Sequence, residues 1–147
     1  MRIMLASERI LLTLWVGGMW TIGYLVAPVL FGTLNDRQLA GDLAGFLFKI
    51  IGIIGLVSGV ILFLLAITEF GRHWFRTWRV WTLIVMVTLV GTGLFVLQPM
   101  MQDLKAQGLI QGSIQATRFG QLHGISSILY LITSLLGLSL VIAGTRR

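Results

Sequence analysis

The chain has 147 residues, of which 56% are hydrophobic and 11% are charged, and its formal net charge is +6. A mean hydropathy of +0.94 is that of a membrane protein, so we expect lipid rather than nucleic acid around it. The chain contains no cysteine, which excludes disulfides, thiolate metal sites and cysteine-based catalysis.

Four apolar runs follow one another at residues 10–31, 43–68, 80–98 and 119–143. Each can cross a hydrocarbon layer of about 30 Å, because a helix rises about 1.5 Å per residue. The connections are too short for a second core. The runs therefore predict an all-α integral membrane protein, an antiparallel bundle of four transmembrane helices in which residues 1–147 form a single domain.

The first apolar run resembles a signal peptide, because it follows Arg2 and Arg9. It is longer than the core of a signal peptide, which has about 7–15 residues, and no small-residue cleavage site follows it. We therefore expect a retained helix.

Positive charge predicts the orientation of the bundle. In a serpentine chain, both termini share one side of the membrane with the second connection. The arginines on that side are Arg2, Arg9, Arg72, Arg76, Arg79, Arg146 and Arg147. The opposite side carries Arg37, Lys105 and Arg118, with Lys49 just inside the second run. Because basic residues concentrate in the cytoplasm, we expect both termini of this multi-pass membrane protein there.

The second connection also contains Trp74, Trp78 and Trp81, which we interpret as anchors in the headgroup layer. His73 lies there among arginines and is expected to be solvated.

Polar and small residues form one stripe along each run. The stripes are Thr13, Gly17, Thr21, Tyr24, Pro28 and Phe31; Gly45, Lys49, Gly52, Leu56 and Gly59; Thr88, Thr92, Phe95 and Pro99; and Gly120, His123, Ser127, Tyr130, Ser134 and Gly137. We expect them to face the bundle interior, because a lipid-facing polar group lacks partners. There they form either helix–helix seams or the lining of a polar cavity.

Glycines at four-residue spacing predict close helix packing, as in Gly41/Gly45, Gly55/Gly59 and Gly120/Gly124. No internal repeat is evident, although Pro28 and Pro99 occupy similar depths in the first and third runs.

Two ionisable residues, Lys49 and His123, lie within apolar runs, and such residues often mark functional sites. Pro28, Gln98 and Pro99 lie at a similar depth, so the four helices together predict an outward-facing polar pocket. Lys49 can instead extend its ammonium to the headgroups, or form an ion pair with Asp36, Asp42 or Asp103. His123 can instead bond a neighbouring carbonyl.

A metal or a cofactor is conceivable at this level. Met100, Met101 and His123 form the one candidate cluster for soft copper, although methionines also fill gaps in cores. Haem b requires as little as one histidine, and Trp20, Tyr24 and Tyr130 are then candidates to line the porphyrin around His123. The apolar runs contain no carboxylate to orient a histidine, so we predict no catalytic residue and favour a non-enzymatic function.

Three short segments carry a family resemblance: LWVGGMW at 14–20, APVLF at 27–31 and RFGQLHGIS at 118–126. Together they resemble the bacterial domain of unknown function 4149 family, which is similar to the eukaryotic transmembrane protein 205-like proteins. The first segment also resembles the first helix of CopD-type copper-resistance domains and of the membrane protoporphyrinogen oxidase family.

The resemblance implies a small polytopic membrane protein without an established reaction. Its eukaryotic relatives are associated with resistance to a platinum drug, which fits handling of soft metals. The positions that the resemblance singles out are Trp15, Gly17, Gly18, Pro28, Phe31, His123, Gly124 and Ser126. The chain lacks the second intramembrane histidine of the porphyrin-oxidising family and has half the span count of the copper-resistance family.

Three functions remain open. The first is a homo-oligomer that binds or moves a small solute or metal ion through the polar pocket, because four helices rarely enclose a pathway alone. The second is a haem-binding or redox protein. The third is an accessory subunit that packs against a larger membrane complex through its glycine faces.

Overall fold

A computed structural model describes residues 2–143, so Arg146 and Arg147 lie outside the described residues. Four helices are long and apolar enough to cross a membrane, as predicted. They are span 1 at Ala6–Thr33, span 2 at Arg37–Thr68, span 3 at Trp78–Ala106 and span 4 at Ile114–Ala143. All are longer than the apolar runs that predicted them, because the helices continue into their polar flanks.

The spans are built from helical segments of three kinds. The α-helices are Arg2–Thr21, Ala27–Thr33, Arg37–Phe70, Trp78–Thr92, Gln98–Ala106 and Ile114–Ala143; the π-helical turns are Ile22–Val26 and Gly93–Leu97; and a 3-10 helix occupies Gly71–Arg76. Span 2 begins at a defined cap, where the Asp36 carboxylate accepts bonds from the backbone N–H groups of Gln38 and Leu39.

Each span contacts the spans before and after it, and span 1 also contacts span 4, so the four helices form a closed ring. The centre of the ring is filled with side chains. Trp15, Val80 and Met86 are fully buried, and Leu12, Met19, Ile51, Leu62, Leu83 and Leu140 complete the core around them. Only the glycines at 55 and 59 allow the Trp15 ring this close to span 2, since a side chain at either would strike it.

Spans 1 and 3 share an unusual turn. In each, a π-helical turn precedes a proline, Pro28 or Pro99, which stands second in the following α-helix. A proline lacks an N–H group, and its ring would clash with the carbonyl four residues earlier in a regular α-helix. That carbonyl lies within the widened turn in both spans. Pro99 therefore does not end span 3 near Gln98, as the apolar run predicted, and the helix continues to Ala106.

We name the two ends of the bundle by their charge. The basic end contains the Gly71–Arg76 connection, and there Arg79 Nη2 lies 3.4 Å from the Glu8 carboxylate, which joins span 3 to span 1. The distal end contains the turn at 34–36 and the connection at 107–113. There Lys105 Nζ lies 2.6 Å from the Asp42 carboxylate, which joins span 3 to span 2.

The prediction that all polar stripes face the interior was wrong. In span 1, the predicted stripe residues Thr13, Gly17 and Thr21 are exposed, whereas the apolar face of the same helix is buried. In span 4 the stripe divides: Ser134 and Gly137 are buried, but Gly120, His123 and Ser127 are exposed. In spans 2 and 3 the stripe residues Gly45, Lys49, Thr88, Phe95 and Pro99 are exposed too. Which residues are buried is therefore decided by how well they pack around Trp15, and not by how polar they are.

Candidate functional site between spans 1 and 4

A polar cluster, which we call the seam cluster, joins spans 1 and 4 through Trp20, Tyr24, Tyr130 and Ser134. The Tyr24 and Ser134 hydroxyl oxygens lie 2.7 Å apart, and the Trp20 indole N–H donates to the Ser134 carbonyl at 3.3 Å. The Tyr130 hydroxyl donates to the Met19 carbonyl at 2.6 Å. Three hydrogen bonds therefore join the two helices. They strengthen an association that apolar packing alone would make weak in lipid.

The π-helical turn of span 1 shapes this cluster. It contains Gly23 and Tyr24, and the ring of Tyr130 lies so close to Gly23 that any side chain there would collide with it. The rings of Tyr24 and Tyr130 lie edge to face at 6.3 Å between centroids, and Trp20 lies 5.0 Å from Tyr24. Phe48 of span 2 closes the other side of Tyr130 at 5.0 Å. π-Helical turns often occur at functional sites.

The seam cluster is open on one side. Ser134 is fully buried, but Trp20 and Tyr24 are 38% and 43% exposed, so their rings border the membrane. In span 4, His123 lies seven residues before Tyr130, which places both on the same helix face. His123 is exposed, and its ring stacks on Phe119 with 6.2 Å between centroids. A polar face thus runs from the buried Ser134 hydroxyl to an accessible imidazole.

The bond from the His123 side chain to a neighbouring carbonyl stays a prediction, and the His123 backbone carbonyl accepts a bond from the Ser127 hydroxyl at 2.9 Å. The Phe119 ring, on which His123 stacks, also has Lys105 Nζ 5.8 Å from its centroid. An ion pair, an aromatic ring and an imidazole thus adjoin one another at the distal end.

The other predicted site residues are dispersed. Lys49 is exposed, and its predicted partner Asp42 is paired with Lys105 while Asp36 caps span 2. Met100 is exposed, and Met101 and Gln98 are partly buried. Among the described residues, no three His, Asp or Glu side chains are grouped so that they could hold a metal ion. The copper cluster of Met100, Met101 and His123 therefore stays a prediction.

The residues that the family resemblance singles out fall into two groups. Trp15 is fully buried, and Gly18 faces the Ile51 side chain, so these two positions pack the core. The second group is open to the surroundings: Gly17 and Gly124 have no atoms near the position of a side chain, Pro28 and Phe31 are exposed, and Ser126 is partly buried.

Sequence reasoning missed two features of the site. Gly23 was not proposed, although a glycine five residues before a proline within a helix is a signal of irregular backbone. The buried Trp15 indole N–H was also missed: within the described part of the chain, it has no hydrogen-bond partner. Trp15 is held by its shape, because its ring occupies the recess beside Gly55 and Gly59.

The fold and the seam cluster define a polytopic α-helical membrane protein with polar groups on a membrane-facing surface. A family model described as "Domain of unknown function (DUF4149)" matches residues 10–109, and the chain belongs to this family. The match ends before span 4, which contributes Tyr130, Ser134 and His123. No curated protein and no solved structure matches the chain.

Proposed function

We propose that the protein binds or moves a small polar solute or metal ion at a site shared between copies of the chain, with spans 1 and 4 as the contact face. One observation carries this proposal: beside exposed apolar side chains such as Leu14 and Ile128, that face presents a group of polar and small residues. The exposed residues in question are Thr13, Gly17, Thr21, Gly120, Gln121, His123, Gly124 and Ser127.

Two physical arguments favour a second copy over lipid at this face. Polar groups find no partners in hydrocarbon. Glycines let two helix backbones approach, and Gly17, Gly120 and Gly124 have open space beside them within one copy. The centre of the ring is filled by Trp15 and Met86, which argues against a pathway within a single copy. A pathway between copies would be lined by Tyr24, His123 and Ser127.

Self-association is tested by native mass spectrometry of the purified protein in mild detergent and in nanodiscs. We expect an oligomer that Gly124→Leu disrupts, because the leucine blocks the approach of the helices. Gly45→Leu is the matched control, since Gly45 is equally open but lies on span 2. A wild-type monomer in both media would overturn the shared site, and co-purification of a different membrane protein would favour the accessory-subunit function.

Transport is tested in proteoliposomes loaded with copper(I) or with small polar solutes. We expect flux that His123→Ala abolishes and His73→Ala leaves intact, because His73 lies in the connection at the basic end. Equal flux through both variants would remove His123 from the site.

A haem-binding function is favoured by one specific observation: the rings of Trp20, Tyr24 and Tyr130 lie close together, and His123 lies two turns from Tyr130 on the same face of span 4. These rings pack against one another, and their polar groups bond to Ser134 and to the Met19 carbonyl, which counts against a porphyrin in the same place. The test is an absorption spectrum of the purified protein, oxidised and dithionite-reduced. A Soret band that shifts on reduction and disappears in His123→Ala would replace the solute function with a haem function.

We also propose that the basic end faces the cytoplasm of a bacterial inner membrane. Exposed Arg72 and Arg76 at this end support the orientation. Because the chain has no native cysteine, single cysteines report topology cleanly. A membrane-impermeant maleimide applied to intact cells should label Ser113→Cys and spare Arg72→Cys, and the reverse pattern would invert the orientation.

A further inference from the structure

A groove of about 190 Å³ lies between spans 2 and 3, in the half of the bundle nearer the basic end. Its lining consists of Gly59, Val60, Phe63, Leu83, Ile84, Val87 and Thr88. The only hydroxyl among them, that of Thr88, donates to the Ile84 carbonyl at 2.8 Å, so the groove offers hydrocarbon surface. Val60 is 50% exposed, which places the mouth of the groove on the outer surface of the bundle.

A cationic connection lies above this groove. Trp74 of the Gly71–Arg76 helix packs edge to face on Phe63 at 6.0 Å between centroids, so the connection reaches the groove wall. Arg72 and Arg76 in the same helix are exposed. From Phe63 to the end of the helix at Phe70 is about 10 Å along the axis.

Tryptophans mark the depth of the membrane surface here. Trp78 and Trp81 are about half exposed at the start of span 3, and the Trp81 indole N–H donates to the Phe75 carbonyl at 2.8 Å. Exposed tryptophans with a bonded N–H are typical of the headgroup layer. Arg72 and Arg76 therefore lie at headgroup level, and the groove lies below them in the hydrocarbon.

We propose that this groove is a binding site for an anionic phospholipid, with part of one acyl chain between spans 2 and 3 and the phosphate against Arg72 and Arg76. The volume suits a stretch of a single chain, and the lining has no polar group to satisfy. Guanidinium groups bind phosphate with paired N–H donors. An anionic headgroup is favoured over a zwitterionic one, because the ammonium of the zwitterionic headgroup offsets the phosphate charge and repels the arginines. The site is on the opposite side of the bundle from the proposed contact face of spans 1 and 4 and is independent of it.

The test is native mass spectrometry of the delipidated protein titrated with phosphatidylglycerol or with phosphatidylcholine of the same chain length. We expect tighter binding of phosphatidylglycerol, and each of Arg72→Gln and Arg76→Gln should weaken it about five-fold. Arg118→Gln, at the distal end, is the charge control and should leave the preference unchanged.

The acyl-chain contact is tested separately by Val60→Trp, which fills the mouth of the groove and should weaken binding of both lipids. Val29→Trp is the matched control, because Val29 is also 50% exposed but lies on span 1. Both changes are at the surface, so the fold should tolerate them, and thermal unfolding in detergent verifies this. Equal affinity for the two lipids, or equal effects of the two tryptophans, would overturn the proposal and leave only non-specific lipid contact.

Discussion

Two helix interfaces in this bundle are both built on glycines that face a side chain, but one interface is polar and closed and the other is apolar and open. Between spans 1 and 4, the Tyr130 ring covers Gly23, and hydrogen bonds from Trp20, Tyr24 and Tyr130 fix the pair. Between spans 2 and 3, the apolar side chains of Leu94 and Val87 cover Gly52 and Gly59. In both interfaces, a side chain of the facing helix covers a glycine.

The difference between the interfaces follows from the side chain that enters the glycine recess. Between spans 1 and 4, the Tyr130 ring extends across the contact, and its hydroxyl donates to the Met19 carbonyl of the facing helix. Aliphatic side chains are shorter, and the interface between spans 2 and 3 leaves a groove beside Gly59. The glycine thus sets how near two helices come, and the residue opposite sets whether the contact is polar and closed or apolar and open.

The largest effect is expected from Gly59→Ala, which places a methyl group against Val87 and the Trp15 ring. Neither neighbour can move freely, because Val87 is β-branched and Trp15 is fully buried. We expect a loss of about 2 kcal/mol in the free energy of unfolding, measured in mixed micelles. Gly45→Ala is the control, because Gly45 has no neighbour, and it should be neutral or stabilising. Equal losses would refute close packing at Gly59.

A smaller effect is expected from Tyr130→Phe, which removes the bond to the Met19 carbonyl but keeps the ring over Gly23. Hydrogen bonds between membrane helices contribute about 0.6 kcal/mol on average and up to about 1.7 kcal/mol. We expect a loss within that range in the same unfolding measurement. Tyr24→Phe should cost less, since Tyr24 borders the membrane, and the reverse ranking would show that Tyr24 holds the seam cluster.

The smallest effect is expected at the distal edge of the interface between spans 2 and 3, where Lys105 pairs with Asp42. Both side chains are partly exposed, so solvent and salt screen the pair. A double-mutant cycle with Asp42→Asn and Lys105→Gln should give a coupling free energy below about 1 kcal/mol that shrinks in high salt. A larger, salt-independent coupling would indicate that the pair is shielded from water.

Hydropathy predicted the four spans, because only a long apolar helix suits the hydrocarbon layer. It made each helix too short, since helices do not stop where the membrane does. The sequence singled out Trp20, Tyr24 and Tyr130 only as the lining of a cofactor site, which stays a prediction. In the structure, Trp20 and Tyr24 bond to Ser134, Tyr130 bonds to the Met19 carbonyl, and the three rings pack against one another.

The direction in which the polar stripes face could not be predicted, because polarity does not decide which face of a membrane helix is buried. Leu12, Trp15, Val16 and Met19 form the buried face of span 1, but Leu14 and Leu25 of the same helix are also apolar and are exposed. This face is buried because the Trp15 ring fits the recess at Gly55 and Gly59. The recess belongs to span 2, so the fit depends on how spans 1 and 2 are aligned. A pattern within one helix contains no information about that alignment.

The paired π-helical turns of spans 1 and 3 imply an approximate two-fold rotation axis along the membrane normal. Leu12 and Leu83, Trp15 and Met86, and Pro28 and Pro99 are separated by the same step in the chain, and the first two pairs are buried. Spans 2 and 4 are related in the same way, because the Val87 side chain lies against Gly59 and the Val16 side chain lies against Gly137. The chain is thus a covalently joined pair of helical hairpins that thread the membrane in the same direction. The interface of spans 1 and 4 and the interface of spans 2 and 3 are therefore equivalent, although the first contains the hydrogen-bonded seam cluster and the second contains a hydrocarbon cleft.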